Sequence, residues 1–124
     1  MIMDNLLKLQ IHQLVQDFLH RINQNDRQGL FEYNQVTDAM LEELHEELNS
    51  SFEDNYQLSI IPFEELPEAM PKNMPLFHIE VMDKNCFLVE CNIYNFGKIT
   101  DLKLQIDIDK ESFELILTRP LFRS

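Results

Sequence analysis

The chain has 124 residues, of which 44% are hydrophobic and 26% charged, and this composition fits one folded domain rather than a disordered or membrane-spanning chain. Its 22 acidic residues outnumber 10 basic ones, and the net charge of -12 argues against a nucleic-acid partner because phosphate binding depends on lysine and arginine. Two glycines and two cysteines also exclude a glycine-rich phosphate loop and a paired-cysteine zinc site.

The N-terminal third of the chain predicts helices. Apolar residues recur every three or four positions over residues 4–22, with Asp4 or Asn5 as N-cap. A polar break at 23–29 is followed by a short turn or helical segment, and a second helix is predicted from Thr37, as N-cap, to about Ser51. This helix has an apolar stripe on one side and glutamates on the other.

From Tyr56 onward the apolar period changes to two, which indicates strands. The sequence predicts a single α+β domain over residues 1–124, with the helices packed on the dry face of an antiparallel meander. A proline-rich arm with one helical turn at Glu64–Leu66 interrupts the strand pattern. The predicted strands are residues 58–61, 76–82, 86–94, 101–108 and 113–118.

The acidic excess lies in one part of the chain. Residues 37–70 carry ten acids and no base, whereas each flanking region has a net charge of -1. A helix often carries a solvated glutamate face, but a one-sided block also makes a local negative potential that steers a cationic partner. The candidate partner-binding residues are Glu42, Glu43, Glu46, Glu47, Glu53, Asp54, Glu64 and Glu65.

Two pairs have metal-like spacing, Glu42 with His45 and Asp17 with His20. Carboxylate-bridged dinuclear sites use such pairs, but they draw further glutamates from two more helices, and only two long helices are predicted here. We therefore predict no metal and no cofactor.

Candidate acid–base residues lie on or beside the predicted strands: His78, Glu80, Glu90, Tyr94 and Asp101. Alternation places Glu80 and Glu90 on the solvent face, where Lys103 could pair with one of them. Asp101 follows a turn, a place where an aspartate commonly accepts backbone N–H bonds. No catalytic constellation is predicted.

The cysteines and the N-terminus bear on the compartment. Cys86 and Cys91 are five apart in one predicted strand, so their side chains point to opposite faces and cannot pair with each other. We expect both to be reduced packing residues. The chain begins without a secretory-signal pattern and no apolar run approaches the ~20 residues of a membrane helix, so we expect a cytoplasmic protein without a membrane partner.

The turn before the most regular strand contains Gly97, Lys98, Thr100, Asp101 and Leu102. It resembles a Gly-Lys/Arg-x-Ser/Thr-Asp-Leu motif in an uncharacterised family of small bacterial domains of unknown function. The order of helices, proline-rich arm and meander over residues 30–120 is also similar. The resemblance implies an NTF2-like or cystatin-like fold, in which N-terminal helices pack on a curved antiparallel sheet of four to five strands, and it implies no established activity.

Two functional hypotheses follow. The first is a non-enzymatic protein-binding or regulatory module, such as an immunity or antitoxin-like protein, whose acidic helix and arm dock on a basic protein. The alternative is a small-molecule-binding or enzymatic pocket inside the curved sheet, lined by Phe77, Phe87, Tyr94 and Phe113. Homodimerisation through the sheet face is compatible with both hypotheses.

Overall fold

The computed structural model describes residues 4–53, 55–67, 76–112 and 114–123. Three helices and a curved antiparallel sheet form an α+β fold, as the sequence predicts. The helices are α1 (Asn5–Asn23), α2 (Arg27–Asn34) and α3 (Asp38–Phe52), and a 3-10 turn spans Phe63–Glu65. The strands are β1 (Leu58–Ser59), β2 (His78–Asp83), β3 (Cys86–Asn95), β4 (Lys98–Glu111) and β5 (Glu114–Arg123).

Helix α1 begins and packs as its sequence predicts. The Asp4 side chain caps it by accepting a hydrogen bond from the Leu6 N–H at 2.9 Å. Its buried stripe includes Ile11, Val15 and Phe18, all without solvent exposure, which places this helix at the centre of the core.

Of the two predicted alternatives for the segment after the polar break, the helix is confirmed as α2, and it begins at Arg27, inside the predicted break. Asp26 caps it, with its carboxylate accepting from the Gly29 N–H at 3.0 Å. The helix ends at Gln35, whose φ of 57° lies in the left-handed region and turns the chain toward α3. Arg21 joins α1 to α2, because it donates to Asn34 at 3.1 Å and lies 4.7 Å from the centre of the Tyr33 ring.

Helix α3 confirms the second predicted helix and its cap. The Thr37 hydroxyl accepts from the Met40 N–H at 3.3 Å, and the helix runs one residue past the predicted end, to Phe52. Leu41, Leu44 and Leu48 are buried, so the opposite side of the helix is left to solvent.

All strand pairings are antiparallel. Strands β1 and β2 both pair with β3, at opposite ends of it, and β4 and β5 follow on its other side. In β4 Leu102, Leu104, Ile106 and Ile108 are buried, while the side chains between them are half-buried. The sheet therefore has one face in the core and one wetter face, as the alternation predicts.

Strand β5 is longer than predicted. It was expected to end at Thr118, but it continues past Pro120 to Arg123. A bulge explains this, because Arg119 and Pro120 together stand opposite one residue of β4 and Arg119 has a φ of 52°. The bulge interrupts the ladder locally, where a proline that cannot donate is tolerated, and the alternation resumes with Pro120 and Phe122 buried.

Candidate functional site

The acidic residues of α3 lie on its solvent side. Glu42, Glu43 and Glu46 are exposed and Glu47 is half-buried. Glu42 and Glu46 are one helical turn apart, as are Glu43 and Glu47, so the helix holds two like-charged i, i+4 pairs. The backbone thus gathers four carboxylates on one surface.

These carboxylates have no basic partner in the described parts of the chain. The ion pairs there join Arg27 to Asp38 at 3.2 Å, Arg119 to Asp107 and Asp109 at 2.6 and 3.2 Å, and Arg123 to Glu90 at 2.7 Å. Only Asp38 of the acidic block takes part in one of them. The arginines are therefore engaged elsewhere, and the glutamates of α3 face solvent uncompensated.

The remaining candidate residues do not join this surface as one cluster. Glu53 is exposed at the end of α3, with φ 60° and ψ -142°, and Asp54 lies outside the described residues. Glu64 and Glu65 are exposed on the 3-10 turn beside His12 of α1. The described candidate residues thus lie in two places, on α3 and on the 3-10 turn, and α3 holds more of the charge.

A groove adjoins the glutamates of α3. A cavity of about 310 Å³ lies between α3 and the end of β5, and Glu43, Glu46 and Glu47 line it together with apolar side chains. Its apolar lining comes from Met40, Leu44, Pro120, Leu121 and Phe122. Sequence reasoning missed the β5 side of this groove because it ended the strand at Thr118, although the apolar run at 120–122 was a signal for its continuation.

The outer sheet face holds its charges differently from the way predicted. His78 and Glu80 are exposed, and Glu90 pairs with Arg123 rather than with Lys103. The predicted pairing of Lys103 is wrong because β5, extended past its predicted end, brings Arg123 opposite Lys103 and within reach of Glu90. This carboxylate is held in an ion pair.

Thr100 and Asp101 lie inside β4, where the pairing with β3 is irregular, and the Thr100 side chain rather than that of Asp101 bonds the backbone there. The Thr100 hydroxyl donates to the Ile93 carbonyl at 2.6 Å and accepts from the Leu102 N–H at 3.2 Å. Asp101 is exposed and its side chain accepts no hydrogen bond from the described residues, so its predicted role of fixing the turn is wrong. A threonine competes for this role because its hydroxyl both donates and accepts.

The aromatic residues of the alternative hypothesis lie partly in the core. Phe77 and Phe87 are buried in the core, Tyr94 is half-buried and Phe113 lies outside the described residues. Sequence reasoning missed His12, which is buried on α1 and whose Nε2 lies 2.7 Å from the Ile61 carbonyl. Its place on the α1 stripe, three residues before Val15, was the available signal.

His12 is built into the packing of the core. Its ring makes edge contacts with Phe63 and Phe77, at centroid distances of 5.6 and 5.0 Å. Burial lowers the pKa of His12 below its ordinary value of 6.5, against the opposing effects of the Ile61 hydrogen bond and the Glu64 charge. The neutral ring donates through Nε2–H to Ile61, so it supports the fold.

The cysteines are unsuited to nucleophilic chemistry. Burial raises the pKa of the Cys91 thiol to about 12. The pKa of the Cys86 thiol is also raised, first by desolvation and then by its hydrogen bond to Asp109. Both thiols therefore stay protonated near neutral pH.

The metal-like pairs gain no further ligands in the described ranges, where no cluster of three or more His, Cys, Asp or Glu residues could hold a metal ion. His45 is half-buried on α3, and burial followed by the Arg27 charge lowers its pKa.

None of the helices that the structure describes is long and apolar enough to cross a membrane. Comparison with protein-family models, curated proteins and solved structures finds no match to this chain. The NTF2-like or cystatin-like affiliation therefore stays a prediction, and the function has to be argued from the surface itself.

Proposed function

We propose that this chain is a non-enzymatic protein-binding module, of the immunity or antitoxin-like kind, that docks on a basic protein through the glutamates of α3. The observation that supports the proposal is the uncompensated charge of Glu42, Glu43, Glu46 and Glu47 beside a groove with an apolar lining. A one-signed surface steers an oppositely charged partner during encounter.

The contrast with the outer sheet face adds weight to the proposal. Glu90, Asp107 and Asp109 each contact an arginine within 3.2 Å, so these sheet carboxylates have basic partners. A protein that needed acidic residues for solubility alone could mix the two signs on every surface. On α3, Asp38 pairs with Arg27, whereas the four glutamates have no ion pair with a described residue.

The test is an association-rate measurement. The partner is first identified by mass spectrometry of proteins that copurify with the tagged chain, and the two purified proteins are then mixed in a stopped-flow instrument. We expect the triple variant E43K/E46K/E47K to associate about 10-fold more slowly or worse at low salt, since the steering field is reversed.

A matched control separates local charge from net charge. The variant E80K/D101K/E114K makes the same change in net charge at three exposed residues of the sheet. It should keep a rate close to that of the wild type, and both variants should remain folded because exposed charges contribute little to stability. An unchanged rate for the α3 variant refutes the proposal.

A further inference from the structure

The groove beside α3 has an apolar interior and an acidic rim. Phe122 and Leu44 are 3% and 5% exposed and form its inner wall, whereas Leu121 is 52% exposed at its opening. The rim is formed by Glu43, Glu46 and Glu47, which have no ion pair with a described residue. A volume of about 310 Å³ lies at the lower end of the range of ligand sites and is ample for one large aliphatic side chain.

A second cavity adjoins the first, because Met40 lines both of them. It has a volume of about 420 Å³, and its polar lining includes Asp109, Glu111, Thr118 and Arg119. Thr118 is only 6% exposed, and its hydroxyl finds no hydrogen-bond partner in the described chain. A buried hydroxyl without a partner is costly, but this oxygen is closed off from solvent and therefore from a ligand in the cavity.

The carboxylates that line the second cavity differ in whether they have an ion pair. Asp109 is already paired with Arg119, at 3.2 Å, so it is not available to a basic side chain from outside. Glu111 is exposed in the same lining and has no ion pair within the described ranges. A basic side chain from outside would find one carboxylate acceptor here, Glu111.

From this arrangement we infer that the partner docks through a basic segment with one large apolar side chain, which enters the groove between α3 and Leu121. Basic side chains next to it contact Glu43, Glu46 and Glu47 on one side and Glu111 of the second cavity on the other. The inference rests on the proposed function and specifies its partner.

A second copy of this chain fits the groove less well. Each copy would bring its own row of α3 glutamates to the interface, and the chain carries a net charge of -12. Like charges placed opposite each other across an interface are unfavourable. Charge complementarity therefore favours a basic partner.

The test uses two synthetic probes, the acetylated and amidated peptides Lys-Lys-Leu-Lys-Lys and Lys-Lys-Ser-Lys-Lys. Affinities are measured by calorimetry at low salt, and the binding site is mapped by amide chemical-shift changes. We expect the leucine peptide to bind about 10-fold more tightly than the serine peptide, and its shifts to centre on Met40, Leu121 and Phe122.

A substitution in the groove completes the test. Leu121→Ser should reduce the preference for leucine to about twofold or less, while Phe96→Ser, at another exposed residue, should leave it unchanged. Suppose that the two peptides bind with equal affinity and that E43K/E46K/E47K abolishes the binding of both. This result would overturn the inference about the groove and leave the proposed function standing. Failure of the triple variant to weaken either peptide would count against both.

Two further outcomes also decide the matter. A leucine preference that persists in Leu121→Ser would place the apolar side chain elsewhere and overturn the assignment of the groove. A concentration-dependent dimer in sedimentation that Leu121→Ser abolishes would make a second copy the occupant instead.

Discussion

Removing negative charge from α3 should make the isolated protein more stable. The double variant E46Q/E47Q eliminates two like-charged i, i+4 pairs, which Glu42 and Glu43 form with these residues, and the i, i+3 pair of Glu43 with Glu46. Each such pair costs about 0.2–0.5 kcal/mol in an exposed helix, so the variant should gain about 1 kcal/mol. Glutamine and glutamate have similar helix propensities, so the backbone contribution is unchanged.

For a domain of this size, 1 kcal/mol corresponds to a rise of roughly 3–5 °C in Tm. The assay is thermal unfolding followed by circular dichroism in a low-salt buffer and again in 1 M salt. The Debye length is ~3 Å at 1 M ionic strength, so the repulsion is screened and the gain should largely disappear. The salt dependence identifies the gain as electrostatic.

The control is E80Q/D101N, which removes two exposed acids of the sheet. Neither has an ion pair among the described residues, so its Tm should stay close to that of the wild type. The reasoning fails if the α3 variant shows no gain at low salt, or if its gain is as large in 1 M salt as at low salt.

Three further predictions concern backbone geometry and pH. Gly29→Ala should give little net change in a urea titration, because an added Cβ would lie 2.3 Å from Asp26 Oδ2, and displacing this cap, at about 1 kcal/mol, offsets the gain of about 1 kcal/mol in helix propensity; a clear stabilisation would contradict this. Glu53→Gly should stabilise by about 1 kcal/mol in the same assay, because φ 60° with ψ -142° strains any residue but glycine, and an unchanged midpoint would contradict this. Because the pKa of His12 is lowered in the folded state, the unfolded chain binds a proton at this residue at a higher pH than the folded chain does. The free energy of unfolding should therefore decrease as the pH is lowered from about 6.5, and it should decrease less steeply in His12→Gln, as measured by denaturant titrations at several pH values.

Helix caps and the apolar periodicity of the sequence predict most of the fold. Asp4 and Thr37 cap α1 and α3 as predicted, because a short polar side chain at the start of an apolar 3.6-residue pattern has a local reason to bond the first turn. Leu102 to Ile108 alternate as predicted because the pleat decides which side chains face the core. Both signals are local in sequence and need no knowledge of neighbouring elements.

The missed features depend on contacts between elements. Gly29 lies in the predicted polar break, yet in the structure it is inside α2. A glycine is suited to this position because the Asp26 side chain that caps the helix lies where a Cβ would be. The predicted last strand ends at Thr118, two residues before Pro120, yet a bulge opposite β4 accommodates the proline inside β5. The groove between α3 and the end of β5 could not be anticipated for the same reason, since residues far apart in the chain form it.

The outer face of the sheet and the solvent side of α3 both hold neighbouring carboxylates, but their charges are compensated differently. On the sheet, Arg119 and Arg123 neutralise carboxylates that strand pairing brings close together. On α3, Glu43 and Glu47 lie one turn apart and neither has an ion pair with a described residue, so solvent and salt screen the repulsion between them. A basic partner would remove that repulsion on binding. The free energy of binding would then include the relief of the repulsion that destabilises the helix in the free protein. E46Q/E47Q tests this coupling directly, because one variant should raise the Tm of the free protein and weaken its binding to a basic partner.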